Sequence, residues 1–213
     1  MTGIDLLAES RRFAERLNSV LNSTITGGVR LSVVETSRGE ALIGCGVTRL
    51  DVDPGAFPLN RGPQGQRLWM LVSYRLAPDD EAHYLQVNSS VVALTADEDG
   101  TEELLHFDYE RDKSDDYPEA HLQVVATSPA WDRTTPNRSL GRLHLPVGGR
   151  RFRFTLEDVA SFLLREKLVT PSKGAASTIG EHRAEFERNQ LRDAIRRDPE
   201  TARAFLEELD TRA

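Results

Sequence analysis

The sequence has a single cysteine, Cys45, in 213 residues. That excludes an intramolecular disulfide and any multi-cysteine zinc site. Set in Leu42-Ile43-Gly44-Cys45-Gly46-Val47, it reads as a small packed residue. Lysine is scarce: 24 of the 27 basic residues are arginine, and isoleucine occurs only five times. That bias fits a GC-rich bacterial genome, so arginine in place of lysine is not by itself a functional choice. No apolar run approaches the roughly 20 residues that a membrane span needs. The start, Met1-Thr2-Gly3-Ile4-Asp5, lacks the basic-then-apolar layout of a secretory signal. A cytoplasmic location is the expectation, and the Asn-x-Ser/Thr triplets at Asn22, Asn88 and Asn137 carry no glycosylation meaning there. Familiar chemical signatures are missing too. The chain has no Gly-x-x-x-x-Gly-Lys-Ser/Thr loop, no Gly-x-Gly-x-x-Gly, no His-Glu-x-x-His and no Gly-x-Ser-x-Gly. No acid stands two residues before any lysine, which removes the Asp…Asp/Glu-x-Lys arrangement of many metal-dependent nucleases.

Charge is abundant but segregated. The net charge is −7, while residues 97–119 alone hold eleven acids and two bases. Residues 133–153 hold six arginines and no acid. Such neighbouring runs either pair with each other, at about 0–1 kcal/mol per surface contact, or leave a basic strip open to phosphate. The net negative charge argues against non-specific duplex DNA binding.

Periodicity predicts a helix over about 3–21, opened by Thr2-x-x-Asp5. Strands are expected over Val29–Thr36, Ala41–Val52, Leu68–Ala77, His83–Thr95, Glu102–Glu110 and Ala120–Thr127, with a Pro/Gly-rich loop over 53–66. A short strand over 150–154 leads into a capped helix over 155–169. Two further helices, about 180–197 and 199–210, form a highly charged tail with a thin apolar stripe of Phe186, Leu191, Ala194, Ile195, Phe205, Leu206 and Leu209. The fold class is α+β: a mainly antiparallel sheet of six or seven strands packed on the first helix and the helix at 155–169. The expected division is a domain over 1–169, a linker over 170–178 and a helical tail over 179–213.

One polar constellation stands out. In Leu105-His106-Phe107-Asp108-Tyr109-Glu110, alternation puts His106, Asp108 and Glu110 on one face and the apolar residues on the other. The following strand places His121 and Gln123 on that same polar face. Cross-strand neighbours sit about 4.5–5.5 Å apart at Cβ, so His106, Asp108 and His121 can converge, with His144 beside them. An imidazole held by a carboxylate serves as a general base. Two histidines and an acid also suit a divalent metal. A solvated polar face needs neither. Arg142, Arg151 and Arg153 form a second candidate set, for phosphate, since paired guanidiniums grip it in a bidentate fork. No cofactor is named by the sequence.

The order His106-Phe-Asp108-Tyr, Tyr117-Pro118-x-x-His121, His144-Leu-Pro and Phe154-Thr-Leu-Glu-Asp158 resembles, over residues 68–168, small uncharacterised bacterial proteins assigned to toxin–antitoxin loci. The resemblance implies an RNase-like hydrolase acting on nucleic acid through His106, Asp108 and His121. The residues alone favour a different reading: a non-catalytic interaction or accessory protein, whose tail over 179–213 docks on a protein partner or on a second copy.

Overall fold

A computed structural model describes residues 3–113, 118–135, 137–147 and 153–212. Helix α1 (Leu6–Thr24) begins where the Asp5 carboxylate accepts from the Ala8 amide at 3.0 Å. Ala14, Leu17, Val20 and Leu21 recur at helical spacing and are buried. Asn18 and Asn22, one turn apart, grip the chain that enters the first strand. Asn18 accepts from the Leu31 amide at 2.7 Å and donates to the Leu31 carbonyl at 3.2 Å. Asn22 does the same to Val29, at 2.9 and 2.8 Å. Each carboxamide thus stands in for a strand neighbour along the sheet edge.

The sheet has eight strands, all paired antiparallel: β1 (Leu31–Glu35), β2 (Ala41–Cys45), β3 (Phe57–Pro58), β4 (Trp69–Pro78), β5 (Leu85–Thr95), β6 (Glu103–Glu110), β7 (Ala120–Val124) and β8 (Leu145–Pro146). The order is β1-β2-β4-β5-β6-β7-β8. Apart from β3, which pairs β4 off this path, the strands follow one another in chain order, so antiparallel neighbours need no crossover. The strand expected over Ala41–Val52 stops at Cys45. Gly46 takes φ +74°, and the following loop folds back so that Pro54 occupies the space beside Gly44. A Cβ on Gly44 would stand 2.8 Å from the Pro54 side chain. The chain then rejoins the sheet as β3 on the remaining stretch of β4, at Phe57↔Met70. Of the strand expected over 150–154, Arg150, Arg151 and Phe152 lie outside the described residues. Arg153 and Phe154 are not paired in the sheet.

All the helices that build the core lie against one face. Met70, Val72, Tyr74 and Leu76 of β4 meet Leu17, Val20 and Leu21 of α1, together with Leu156, Val159, Ala160 and Leu163 of α3 (Leu156–Arg165). A full capping box starts α3: Thr155 accepts from the Asp158 amide while Asp158 accepts from the Thr155 amide. Segment 170–178, expected as a linker, is tied to the body. The Ser172 amide donates to the Thr24 carbonyl at 2.9 Å, and Asn60 donates to the Thr170 carbonyl at 3.0 Å. Helix α4 (Ala175–Arg197) starts inside that segment, with Ala175 and Ile179 buried. Arg183–Asp158 at 3.1 Å and Arg16–Glu185 at 2.8 Å hold its first half. A single residue, Asp198, joins it to α5 (Pro199–Asp210).

The opposite face of the sheet is covered at its two ends and open between them. The loop over 46–56 shields β2, forming a small second cluster of Val34, Leu42 and Val47. At the other end, beyond α2 (Pro129–Thr134), a 3-10 turn at Leu140–Arg142 packs on β7, fixed where Gln123 donates to the Gly141 carbonyl at 2.8 Å. Among the described residues, no helix is long and apolar enough to cross a membrane.

Candidate functional site

The pairing register carries the polar cluster. Asp108 is directly opposite His121, and His106 is opposite Gln123. His121 Nε2 lies 3.5 Å from Asp108 Oδ2. Its Nδ1 is 3.2 Å from the Pro118 carbonyl, which only accepts, so Nδ1 carries the hydrogen and Nε2 is the nitrogen that faces the carboxylate. The His144 ring packs edge-on against His121 at 4.6 Å, and the His106 ring lies 6.3 Å away on the other side. Sequence alternation therefore places His106, Asp108 and His121 on one face, and His144 joins them from outside those strands. Alternation does not foresee that His121 is only 2% exposed. His121 is the buried member, with the His144 ring packed on it, while His106 and Asp108 remain partly exposed. Burial holds the His144 imidazole below its usual range, and the neighbouring His121, Lys113 and His106 push the same way.

Glu103 is a member that alternation misses. His106 Nδ1 stands 2.7 Å from Glu103 Oε1. Three residues apart in a strand would ordinarily put two side chains on opposite faces. The register of β5 against β6 shifts between Leu94 and Thr95, leaving Leu104 as the extra residue and returning Glu103 to the face of His106. The imidazole is thus oriented by a carboxylate through Nδ1, and its Nε2 is left to act as acceptor. Asp108 also lines an open groove of about 610 Å³ on the exposed middle of the sheet, with Glu40, Arg75, Ser89 and Arg111. Chemically the arrangement can hold and pass protons between imidazole and carboxylate. Its ligand atoms do not converge on one point: among the described residues, the grouping with metal-like spacing is Asp79, Glu81 and His83 in the β4–β5 hairpin, all within 4.8 Å. There, Asp79 Oδ1 already accepts from the His83 and Tyr84 amides at 2.7 and 2.8 Å and shapes the turn. Against the raising effect of desolvation, those amides hold its carboxyl below the usual range.

Of the three arginines expected as one phosphate strip, the two described ones, Arg142 and Arg153, stand in different parts of the fold. Arg142 is exposed on the 3-10 turn that covers β7. Arg151 lies outside the described residues. Arg153 is on the core side of the sheet, where its guanidinium packs over the rings of Tyr74 at 5.8 Å and Phe186 at 5.9 Å. The segment before α3 is not a sheet strand, so both neighbours turn to the core side: Phe154 packs on Phe107, with ring centroids 4.8 Å apart, and Arg153 reaches Tyr74 and Phe186.

The chain matches no protein-family model, no curated protein and no solved structure.

Proposed function

We propose that this is a cytoplasmic, non-catalytic interaction protein that works through its helical tail. One observation supports the reading above the others. Leu191, Ile195, Phe205, Leu206 and Leu209 on α4 and α5 are between 44% and 61% exposed. Large apolar side chains at helical spacing, left in water on two successive helices, are the form of a docking surface. Phe186, expected in the same stripe, turns instead toward Arg153 and the body. On α4, Leu191 and Ile195 are on the side away from Phe186.

The occupant that fits is a second copy of the chain. Residues 188–197 carry four arginines and one aspartate, net +3; residues 199–210 carry four acids and one arginine, net −3. Within one chain the one-residue connection at Asp198 leaves no loop for α5 to reverse onto α4. In a two-fold pair each basic α4 meets the partner's acidic α5, and both apolar stripes are covered. Light scattering of the full-length protein tests this. Twice the 23.8 kDa chain mass is expected, falling to the monomer mass on Leu191→Asp with Ile195→Asp. Monomer at every concentration removes the second copy as the partner. Arg188→Glu with Arg192→Glu should also give monomers, and mixing them with Glu207→Arg, Glu208→Arg chains should restore pairs.

A second reading is favoured by the two carboxylate–imidazole contacts, Glu103–His106 and Asp108–His121. On it, the protein is a hydrolase of the RNase-like kind that the toxin–antitoxin resemblance implies. His106 Nε2 would take a proton from the attacking oxygen of water or a ribose hydroxyl. His106→Ala must then abolish RNA cleavage with the melting temperature unchanged; cleavage that survives ends this reading.

A further inference from the structure

A second basic feature lies where α4 passes the start of β5. There, Arg111, Arg153, Arg192, Arg196 and Arg197 line one cleft of about 370 Å³, with Asp193 as its one acid. These residues come from three separated parts of the chain: the end of β6, the segment before α3 and the last turns of α4. No sequence run announces the cluster, which is why the sequence points to a different arginine set. Asp193 is already engaged. It lies 3.0 Å from Arg197, and it hydrogen-bonds the Tyr84 side chain. Among the described residues, the other four arginines have no carboxylate within 4.0 Å. Several guanidiniums gathered in a concave site without counter-charge create a focused positive potential that an anion relieves.

Two of the arginines are held in advance of any ligand. Arg153 is fixed between the Tyr74 and Phe186 rings, an arrangement that orients a guanidinium while leaving its charge unneutralised. The Arg111 Nε donates to the Val87 carbonyl at 3.1 Å, which leaves its two terminal nitrogens for another acceptor. Preorganised forks of this kind match the oxygen spacing of phosphate.

We infer that this cleft binds a small molecule carrying two or more phosphate groups. Its volume is within the roughly 300–1,000 Å³ range of small-molecule sites. One end adjoins the acidic tip of the β4–β5 hairpin, where Asp79, Asp80 and Glu81 line a neighbouring hollow with Arg196 and Arg197. That acidic rim repels an extended polyanionic strand that would run out of the cleft, whereas a compact polyphosphate stays clear of it. The apolar groups of the tail, Leu191 and Ile195, are on the other side of α4 from this cleft.

Calorimetric titration of the full-length protein with inorganic pyrophosphate at low ionic strength tests it. The expected result is saturable binding that weakens as salt is added and exceeds binding of orthophosphate. Arg196→Gln with Arg197→Gln, both on the exposed end of α4, should weaken it roughly tenfold or more. Arg153→Gln should do the same, and the exposed pair guards against Arg153 acting only through the core. Absence of binding at millimolar pyrophosphate overturns the inference, as does binding indifferent to both variants. A single-stranded oligoribonucleotide that binds more tightly than pyrophosphate through the same arginines overturns the small-ligand assignment.

Discussion

Glu103 and His106 are held 2.7 Å apart because Leu104 is the extra residue of a bulge in β6. The carboxylate fixes which ring nitrogen carries the hydrogen. In long-range nitrogen–proton NMR spectra, His106 should show the Nδ1–H form. Glu103→Gln should alter that pattern while the signals of His121, anchored through Pro118, change little. An unaltered His106 spectrum would show that the tautomer is set elsewhere. Both groups are partly solvated, so the stability change should be within about 1 kcal/mol.

Asn22 satisfies both backbone groups of Val29. Asn22→Ala leaves a donor and an acceptor at a half-buried edge. A loss of about 1–3 kcal/mol is expected in urea unfolding. Asn22→Asp keeps the acceptor but loses the donor, and should fall between wild type and alanine.

Leu163 is fully buried between α3 and the sheet. Leu163→Ala should cost about 2–5 kcal/mol, through lost transfer energy and the cavity left behind. Leu206→Ser, on the exposed face of α5, should change the stability of the isolated chain by less than about 0.5 kcal/mol. Equal effects would mean that α5 is covered by its own body.

His144 titrates below the usual imidazole range when folded, first because it is desolvated and then because the neighbouring His121, Lys113 and His106 disfavour a further positive charge there. The unfolded chain therefore binds its proton at a higher pH than the folded chain does. Between those two values stability falls as pH falls, and the contribution is fully present only above about pH 6.5. A plot of melting temperature against pH should decline on that acid side. His144→Gln should flatten the decline, and an unchanged slope would assign it to another group.

The parts of this fold visible in the sequence are those set by local pattern. Val, Leu and Ala runs with turn signals between them locate six of the strands, and alternation places Asp108 and His121 on one face. What alternation cannot see is an event that changes its parity. The bulge at Leu104 hides Glu103, and the φ +74° turn at Gly46 ends β2 early and frees room for β3. Burial of His121 is equally invisible, because the cover comes from a segment about 20 residues downstream with no strong period of its own. Arg153 shows the largest gap. Its partners, Tyr74 and Phe186, are far away in the chain in both directions, and only the packing of α4 on the sheet brings them to it.

The junction at Asp198 has a mechanical meaning. Its side chain caps α5 through the Thr201 amide at 3.1 Å, and Pro199 follows immediately. Proline fixes its own φ near −65° and disfavours helical geometry in the residue before it. So α4 cannot run straight into α5, nor can the joint swing freely. The angle between the two helices is carried by very few torsions instead of by side-chain packing. Asp198→Gly would leave every apolar contact group in place and yet let the angle drift. Any assembly built on both helices would then lose its geometry before it lost any of its adhesive surface.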